Sequence, residues 1–486
     1  MDLTKNRFFL LATAFSTGAC IMVLELTASR VLAPAFGSSI YVWGSLIGVI
    51  MTALALGYYT GGYFADKTQD IRFLYKILIL AAITVSLIPI LGESVLAISL
   101  LGGFVLGPII STVVIFSIPM TLLAMTSPMV IKFSTDKMSS LGLSAGKVYS
   151  VSTVGSILGT FITTFILIPM AGSRLAILAT AAVVFALGMA GLLKKKYLPL
   201  ALLLIPGLLY NPPAENNLIY KTESAYNIIK VLDYPDMREM KLNYEYAIQS
   251  RINKKDILVG GYFDYVNLGP LLTRTDKILW IGAGAGTSPR QLSYFYNATI
   301  DAVEIDPEIV EVGKEYFSLQ ESDEIRIHVS DGRDYLRNSG KYGIINIDVF
   351  GGGFDLPFHM ATREFFAEAS KHLEEDGLVT MNSMVVYNDD AVSNAIAYTM
   401  RQVFPSVFTI DLGWNRMIIG FKKKKALNEV RESLRGYDPK LENIVKDAKA
   451  NIKEFNPENG VILTDDKSQV EEMTFNMMRK YYEVRH

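Results

Sequence analysis

Residues 277–287 read KILWIGAGAGT, and this stretch predicts the fold of the second half of the chain. The apolar run at 277–281 predicts a buried β-strand. Gly282, Gly284 and Gly286 then predict a tight turn into a helix. Such a turn lets a ligand approach the backbone, and the free amides of the helix N-terminus favour negatively charged groups. Glycine-rich turns also serve tight packing alone, so the residues around this one have to decide its role.

Strand and helix patterns alternate after the turn. Further strand candidates lie at 300–304, 325–329, 343–348, 378–382, 407–411 and 417–421, with helical patterns between most of them. This alternation predicts an α/β domain with a doubly wound, largely parallel sheet. Ligands of such sheets bind outside the carboxyl ends of the strands, near the switch in strand order. The residues just after each strand are therefore the candidate site.

Acidic residues follow the next three strands. Glu304 comes 20 residues after Gly284, a spacing at which a carboxylate can accept both hydroxyls of a ribose. Asp331 can bind the exocyclic amine of a base, or it can cap the following helix. Asp348 ends an apolar strand, where burial can make a carboxylate a base. Four signals on consecutive strand ends predict a nucleotide site, although a surface role is the ordinary one for a glutamate such as Glu304.

The run from residue 278 to residue 366 resembles the polyamine aminopropyltransferase (spermidine synthase) family. The region from Leu24-Glu25-Leu26 to Gly62, with Pro357-Phe358-His359 and residues 362–366, is similar to its membrane-fused branch, which has an N-terminal multi-spanning domain. The resemblance implies a small β-domain and a Rossmann-like domain of the class I S-adenosylmethionine-dependent transferase type. It also implies transfer of an aminopropyl group from decarboxylated S-adenosylmethionine, a co-substrate, to a small-molecule amine, without a metal.

By position, the resemblance implies a role for each strand end. The glycine turn would line the sulfonium tail of the donor, Glu304 would hold its ribose and Asp331 its adenine amine. Asp348 would deprotonate the attacking amine, because an ammonium is inert as a nucleophile until it loses a proton.

The chain departs from the family pattern around the donor and the loop after Asp348. Ala285 stands where soluble members carry the Asp of Gly-Gly-Gly-Asp-Gly, an acid that resembles the anchor of the donor's amine. The family's Asp-Ser-Ser-Asp-Pro loop is Asp348-Val349-Phe350-Gly351-Gly352, which keeps the first acid and loses the second. Ordinary S-adenosylmethionine is therefore an alternative donor.

The expected diamine pocket is also altered. Tyr226-Asn227 stands for a Tyr-Gln pair, and Tyr262-Phe263-Asp264 for a Tyr-His-Glu element. Tyr226, Asp264 and Asp355 are therefore the candidate acceptor-binding residues, with ordinary turn or capping use as the alternative for each. Asp465-Asp466 resembles a terminal motif of the membrane-fused branch.

The first 210 residues differ in composition from the rest. They hold 13 Lys and Arg and 6 Asp and Glu, whereas the remainder holds 33 and 42, so the formal charges are +7 and −9. Apolar runs of about 20 residues, enough to cross a bilayer, lie at 8–32, 41–65, 73–92, 109–131, 148–169 and 173–193. Two short or Gly- and Pro-broken stretches, 94–107 and 197–210, make the expected count six to eight.

The basic residues of the short loops predict the orientation. Lys67 and Arg72, the lysines at 132–147 and those at 194–196 would all be cytoplasmic if the N-terminus is inside and six segments cross. The chain is thus expected in the cell membrane as a multi-pass protein with a cytoplasmic catalytic domain. Glu25 and Arg30 lie within the first span, where ionisable residues are either functional or reach the interface.

Pro212-Pro213 marks the expected boundary between the halves. The predicted domains are a transmembrane helical domain at 1–210, a small β-rich part at 214–275, the catalytic domain at 276–425 and a helical segment at 426–486. Alternating apolar residues at 220–252 predict the antiparallel strands of the β-rich part.

Two other functions fit the sequence. One is an S-adenosylmethionine-dependent methyltransferase, and the other is a non-catalytic nucleoside-sensing domain on a transporter-like bundle. Nucleic acid is not expected as a partner because the second half is net acidic and lacks an aromatic and basic stripe. The lone Cys20 excludes an intramolecular disulfide framework and a cysteine-based zinc site, and four scattered His make a His-rich metal cluster unexpected. The bilayer is an expected partner, and a homodimer is expected by resemblance only.

Overall fold

A computed structural model describes residues 6–37, 40–135, 138–192, 195–210, 215–243, 248–351, 356–387 and 389–485. The chain divides into two compact units, Met1–Ala214 with Glu223–Ala225 and Glu215–Thr222 with Tyr226–His486. The first unit is helical and the second contains two β-sheets.

The first unit consists of apolar helices joined by short turns. Its α-helices are α1 (Arg7–Phe36), α2 (Ile40–Lys67), α3 (Arg72–Ser99), α4 (Gly103–Ala124), α5 (Thr126–Ser134), α6 (Leu141–Ile162), α7 (Ile168–Leu192) and α8 (Ile205–Leu209). Short 3₁₀ segments lie at Leu100–Gly102, Met138–Ser140 and Lys195–Leu204, and a π-turn at Thr163–Leu167 joins α6 to α7.

Five helical stretches among the described residues are long and apolar enough to cross a membrane. The fifth, Leu141–Leu192, has 52 residues and covers two of the predicted runs. Gly172, with φ +74°, interrupts it where those runs meet. Because one crossing needs about 20 residues, this stretch has the length of two crossings. Six crossings therefore stay a prediction.

Small residues let helices of this unit approach closely. A Cβ on Gly155 of α6 would lie 2.0 Å from the carbonyl oxygen of Phe15 in α1, and one on Gly159 would lie 2.6 Å from that of Ala19. The Gly155-Gly159 pair therefore serves packing of α6 against α1. Arg30, one of the two ionisable residues of the first predicted span, donates a hydrogen bond to the carbonyl oxygen of Ala225, which belongs to the same unit.

The second unit begins with a four-stranded sheet in the order β1-β2-β3-β4. Its strands are β1 (Leu218–Glu223), β2 (Ile228–Asp233), β3 (Met237–Leu242) and β4 (Ile248–Asn253). β3 runs antiparallel to both of its neighbours. The prediction of a small antiparallel region before the main domain is confirmed.

The main sheet has eight strands in the order β12-β10-β11-β9-β8-β5-β6-β7. The strands are β5 (Lys277–Ile281), β6 (Thr299–Glu304), β7 (Ile325–Val329), β8 (Tyr342–Ile347), β9 (Leu373–Met384), β10 (Ser406–Asp411), β11 (Asn415–Phe421) and β12 (Lys453–Glu454). The helices around it are α9 (Leu268–Thr273), α10 (Thr287–Phe295), α11 (Pro307–Tyr316), α12 (Gly332–Asn338), α13 (Arg363–Lys371), α14 (Ala391–Arg401), α15 (Leu427–Ser433), α16 (Glu442–Asn451) and α17 (Val470–Arg485), with 3₁₀ turns at Gly261–Asn267, Phe358–Met360 and Pro439–Leu441.

The sheet confirms the doubly wound α/β fold, with a mixed edge. The strands from β9 to β7 are parallel, whereas β11, β10 and β12 pair antiparallel. The reversal follows from the short turn between β10 and β11, because a tight turn can join only antiparallel strands. The chain runs outward from β5 through β6 to β7 and then returns to β8 on the other side of β5. The switch in strand order, where ligands bind in such sheets, therefore lies between β5 and β8.

Candidate active site

The glycine turn follows β5 directly at the switch point. Gly282, Gly284 and Gly286 have φ of +84°, +55° and +86°, which side chains rarely adopt. A Cβ on Gly282 would lie 2.0 Å from the carbonyl oxygen of Asp348. Glycine is therefore required where the ends of β5 and β8 come together.

Glu304 lies against the other side of this turn, at the end of β6. Its Oε2 accepts a hydrogen bond from the amide of Gly284 at 2.8 Å, and its Oε1 accepts one from the amide of Asp306 at 3.1 Å. Burial raises the pKa of Glu304 to about 7, and these backbone hydrogen bonds oppose the shift. The carboxyl group therefore changes its charge near neutral pH.

Asp331 follows β7 and caps α12. Its Oδ1 accepts hydrogen bonds from the amides of Arg333 at 2.9 Å and Asp334 at 3.0 Å. Its Oδ2 lies 4.0 Å from Nε2 of His359. The capping role is thus present, and it uses only one of the two carboxylate oxygens.

Asp348 follows β8 and is held by its backbone and its side chain. Its amide donates to the carbonyl oxygen of Ile281 at 2.9 Å, and Nδ2 of Asn382 donates to its Oδ1 at 3.1 Å. Burial raises the pKa of Asp348 to about 6, while the hydrogen bonds from Asn382 and from the Tyr262 hydroxyl oppose the shift. The carboxylate is ionised at neutral pH yet can still accept a proton, as a base must.

A cavity lies beside Asp348, over the ends of β5, β8, β9 and β11. It is lined by Tyr262, Val266, Trp280, Asn346, Ile347, Asp348, Thr380, Asn382 and Met417. Glu304, on the far side of the glycine turn, does not line it. The glycine turn therefore separates the cavity from Glu304.

Residues 266–412 match the family model of the spermine/spermidine synthase domain. We refer to this matched region as the synthase domain. The matched residues span β5 to β10 and contain the glycine turn, Glu304, Asp331 and Asp348.

Curated relatives of this synthase domain carry the same family's activity in their names. The chain is 31% identical over 281 residues to the probable polyamine aminopropyl transferase of Bifidobacterium longum (strain NCC 2705), covering 53% of this chain and 62% of that protein. It is 28% identical over 240 residues to the polyamine aminopropyltransferase of Vibrio vulnificus (strain CMCP6), covering 45% of this chain and 78% of that protein. The chain thus spans less than two thirds of the Bifidobacterium protein.

A solved structure is also similar to the synthase domain. The probable spermidine synthase from Corynebacterium glutamicum ATCC 13032 matches with a TM-score of 0.41 at 18% identity. The match covers 52% of this chain and 98% of that one.

Ala285, which replaces the expected acid of the glycine turn, is fully buried. It packs in an apolar cluster with residues of the small sheet and of α11, among them Val231, Ile309 and Val312. This position of the synthase domain offers a donor no polar side-chain group.

The three candidate acceptor-binding residues lie in different places. Asp264 accepts hydrogen bonds from the amides of Val259 and Gly260 at 3.0 and 2.8 Å and from Nε2 of Gln291 at 2.7 Å, so its carboxylate holds the segment before Tyr262 in place. Tyr226 is half exposed between β1 and β2. Neither lines the cavity beside Asp348. Asp355 lies outside the described residues.

The predicted terminal motif serves an ion-pair network. Arg333 of α12 is nearly buried and binds the carboxylates of Glu368 at 3.0 Å and Asp465 at 2.8 Å. Its guanidinium also donates to the carbonyl oxygen of His359 at 3.0 Å. Asp465 therefore anchors the C-terminal segment beside α12. Among the described residues, no group of three or more His, Cys, Asp and Glu could hold a metal ion.

Several site residues were not predicted from the sequence. Asn346, Thr380 and Asn382 line the cavity, although none of them follows a strand. The available signal was Asn346 itself, because it is a lone polar side chain in the apolar strand Tyr342–Ile347.

Proposed function

We propose that this chain is a membrane-anchored aminopropyltransferase that transfers the aminopropyl group of decarboxylated S-adenosylmethionine to an amine. One observation carries the proposal: Asp348, the glycine turn and Glu304 occupy the ends of the adjacent strands β8, β5 and β6. Along the edge of the sheet, the order is thus a base, a turn that lets a ligand approach the backbone, and a ribose-binding acid. An adenosyl donor and an amine require this order.

The donor would lie across the glycine turn. Glu304 is proposed to accept hydrogen bonds from the ribose hydroxyls, and Oδ2 of Asp331 to accept one from the adenine amine. The charged sulfonium would then face the end of β8. Because Asp348 is buried, its negative charge acts in a medium of low polarity and attracts a cation more strongly than it would in water.

The reaction is a nucleophilic displacement at carbon. Asp348 accepts a proton from the acceptor's ammonium, and the nitrogen lone pair then attacks the aminopropyl carbon bonded to sulfur. A C–N bond forms as the C–S bond breaks, and the bonding electrons pass to sulfur, which leaves neutral methylthioadenosine. Holding both reactants in line is the other contribution of the site.

Ala285 supports a second candidate, methyl transfer from ordinary S-adenosylmethionine. An aspartate at this position would favour a donor that carries only an amine on its tail, and alanine removes that preference. Both donors share adenosine and a sulfonium, so the ribose-binding and base roles stay the same under either function.

The location is proposed from the helices of the first unit. A multi-pass anchor in the cell membrane with the synthase domain in the cytoplasm is supported by their length and by the basic short loops. The bilayer is therefore a proposed partner, and pairing of synthase domains into a homodimer is a further proposal.

A product assay tests the function. The full chain, purified in detergent, is incubated with each donor in turn and a panel of amines, and the nucleoside product is identified by mass spectrometry. Methylthioadenosine together with an aminopropylated amine supports the proposal. S-adenosylhomocysteine supports the methyltransferase instead, and failure of both donors to bind in calorimetry contradicts both functions.

A further inference from the structure

The C-terminal segment of the chain packs against the helices beside the donor side of the candidate site. After β12 this segment crosses α14, where the amide of Leu463 donates a hydrogen bond to the hydroxyl of Thr399 at 3.0 Å. The carbonyl oxygen of Leu463 accepts one from the amide of Arg363, the first residue of α13, at 2.8 Å. Two residues later, Asp465 accepts a hydrogen bond from the Thr362 hydroxyl at 2.6 Å. The segment is therefore fixed at the N-terminal end of α13.

Asp465 binds the guanidinium group of Arg333 with both carboxylate oxygens. Its Oδ1 accepts a hydrogen bond from Nη1 at 2.9 Å, and its Oδ2 accepts one from Nη2 at 2.8 Å. The Arg333 side chain is only 7% exposed, and Glu368 binds its other edge through two hydrogen bonds of 3.0 Å. Such two-point pairs fix the position of a guanidinium group as well as neutralising its charge. Asp465 and Glu368 therefore hold Arg333 in one arrangement.

Arg333 joins Asp331, the proposed partner of the adenine amine, to the turn at Phe358–Met360. The amide of Arg333 donates to Oδ1 of Asp331 at 2.9 Å, and its Nη1 donates to the carbonyl oxygen of His359 at 3.0 Å. The His359 ring in turn places Nε2 at 4.0 Å from Oδ2 of Asp331, the oxygen that capping leaves available. The surroundings of this oxygen therefore depend on the position of Arg333.

Glu368 cannot replace Asp465 in this arrangement. Its carboxylate also binds Arg337, at 3.1 Å. Without Asp465, one carboxylate would serve two guanidinium groups, and Arg333 would be drawn toward Glu368 and away from the carbonyl oxygen of His359. An exposed ion pair contributes little to stability, but here the buried partner is the residue that joins Asp331 to the His359 turn.

We propose that Asp465 is a positioning residue of the donor site. Through Arg333 it fixes the Asp331 carboxylate and the His359 turn, so that Oδ2 of Asp331 meets the exocyclic amine of adenine. The proposal rests on the proposed binding of an adenosyl donor, and it adds the C-terminal segment to the parts of the chain that recognise the base. Asp465 acts through Arg333 and without contact with the donor.

Two nucleosides test the proposal by calorimetry on the full chain in detergent. Methylthioadenosine carries the exocyclic amine, whereas methylthioinosine carries in its place a carbonyl oxygen, which the Asp331 carboxylate repels. The ratio of the two dissociation constants therefore measures the contact between Asp331 and the base. We expect the unaltered chain to bind methylthioadenosine about tenfold to a hundredfold more tightly, because a hydrogen bond to a charged group is gained.

Two variants break the pair from its two sides. Asp465→Asn keeps the size of the side chain, and Glu368 still pairs with Arg333, so the domain should fold. Arg333→Lys keeps every charge but loses the two-point pairing and the hydrogen bond to His359. Each should lower the ratio at least about fivefold, while kcat at saturating donor stays within about threefold in Asp465→Asn. Because both act through one pair, the double variant should lower the ratio no further than the single variants do.

Asp466→Asn is the matched control. Asp466 is the exposed neighbour of Asp465 and carries the same charge, but it lies outside the hydrogen bonds that hold Arg333. This variant should leave the ratio unchanged. Thermal midpoints of all variants separate a loss of fold from a loss of base recognition.

The outcomes separate the proposal from the function on which it rests. An unchanged ratio in Asp465→Asn and Arg333→Lys, or additive effects in the double variant, would overturn the proposal and leave the donor site standing. Equal binding of both nucleosides by the unaltered chain would remove Asp331 from the base and overturn the proposal as well. Failure of the unaltered chain to bind methylthioadenosine would overturn the proposed function and the proposal together. If Asp465→Asn does not fold, the ratio in Arg333→Lys decides.

Discussion

The side-chain amide of Asn382 donates a hydrogen bond to the carboxylate of Asp348 over 3.1 Å. Asn382 is itself oriented by Asn415, whose Nδ2 donates to its Oδ1 at 3.0 Å. The Tyr262 hydroxyl supplies a second hydrogen bond to Asp348. Two neutral donors thus partly offset the effect of burial, and the pKa of Asp348 stands at about 6 rather than higher.

Removal of one donor should move the pH dependence of the reaction. Asp348 acts as a base only when ionised, so kcat/KM should fall as the pH drops below about 6. Tyr262→Phe removes a hydrogen bond that favours the ionised form, so the pKa rises and the acid limb moves to higher pH. We expect a loss of about two- to tenfold at pH 6, measured as a pH profile of kcat/KM.

The control for this shift is Tyr294→Phe, because Tyr294 is exposed on α10 and does not line the cavity beside Asp348. It should leave the acid limb unchanged. An acid limb that does not move in Tyr262→Phe would show that another group controls the profile.

Asp348 should be catalytic and destabilising at once. Burial raises its pKa from 3.8 to about 6, so the protonated form is the one that the fold favours. The stabilisation of the fold by this protonated form is fully present below pH 3.8 and is lost as the pH rises through 6, where the buried carboxyl group ionises. Asp348→Asn, a neutral isostere, should therefore raise the thermal midpoint at pH 8, by the equivalent of about 3 kcal/mol at most, while it abolishes turnover. Thermal scans at pH 8 and pH 4 measure this, and the advantage should vanish at pH 4.

A different outcome would change the role assigned to Asp348. A variant that is less stable at pH 8 would mean that the carboxylate is favourably paired in the free protein. Turnover that survives in Asp348→Asn would remove Asp348 as the base, and donor binding without turnover in the unaltered chain would favour the nucleoside-sensing function.

The glycine turn should tolerate no side chain at its first position. In Gly282→Ala the new Cβ meets the carbonyl oxygen of Asp348, and φ stays at +84°. Gly413→Ala has a similar φ of +75° with open space around it, so it measures the backbone cost alone. We expect Gly413→Ala to cost about 1 kcal/mol with full activity, and Gly282→Ala to lose activity by at least about 100-fold.

Equal effects of the two alanines on kcat would contradict a close approach of the strands at the site. Thermal midpoints separate a loss of activity from a loss of fold.

Glu304 should release a proton when a nucleoside binds. With a pKa of about 7 it is partly protonated at neutral pH, and ribose hydroxyls that donate to it favour the ionised form, which lowers the pKa. Calorimetry with methylthioadenosine in buffers of different ionisation enthalpy should show release of up to about half a proton at pH 7 and almost none at pH 9. Glu304→Gln should abolish the release and weaken binding at least about tenfold. Proton uptake at pH 7 would contradict ribose binding by Glu304.

The sequence predicted the strand ends because each strand is an apolar run that an acid or glycine terminates. The sequence pattern alone therefore predicted that Glu304 and Asp348 lie at the same edge of the sheet. The fold was also predictable from the alternation of strands and helices. β12 was not, since Lys453 and Glu454 form too short a strand to leave a pattern.

The polar lining of the cavity beside Asp348 was not predictable from the sequence. Asn346 and Thr380 become neighbours only through the pairing of β8 with β9, which brings together residues 34 positions apart. Asp264 shows the converse, because its carboxylate is engaged by Gln291 from another helix, a contact that no local pattern reveals. Burial of Ala285 likewise depends on packing of α11 and the small sheet around it.

The proposed chemistry requires one adenosyl group that reaches from Glu304 to Asp348 across the glycine turn. An experimental structure of the full chain with methylthioadenosine tests this most directly. We expect both ribose hydroxyls within hydrogen-bond distance of the Glu304 carboxylate and the sulfur facing Asp348 and the cavity. A nucleoside bound elsewhere, or one that contacts Glu304 with its sulfur directed away from Asp348, would contradict the proposed chemistry.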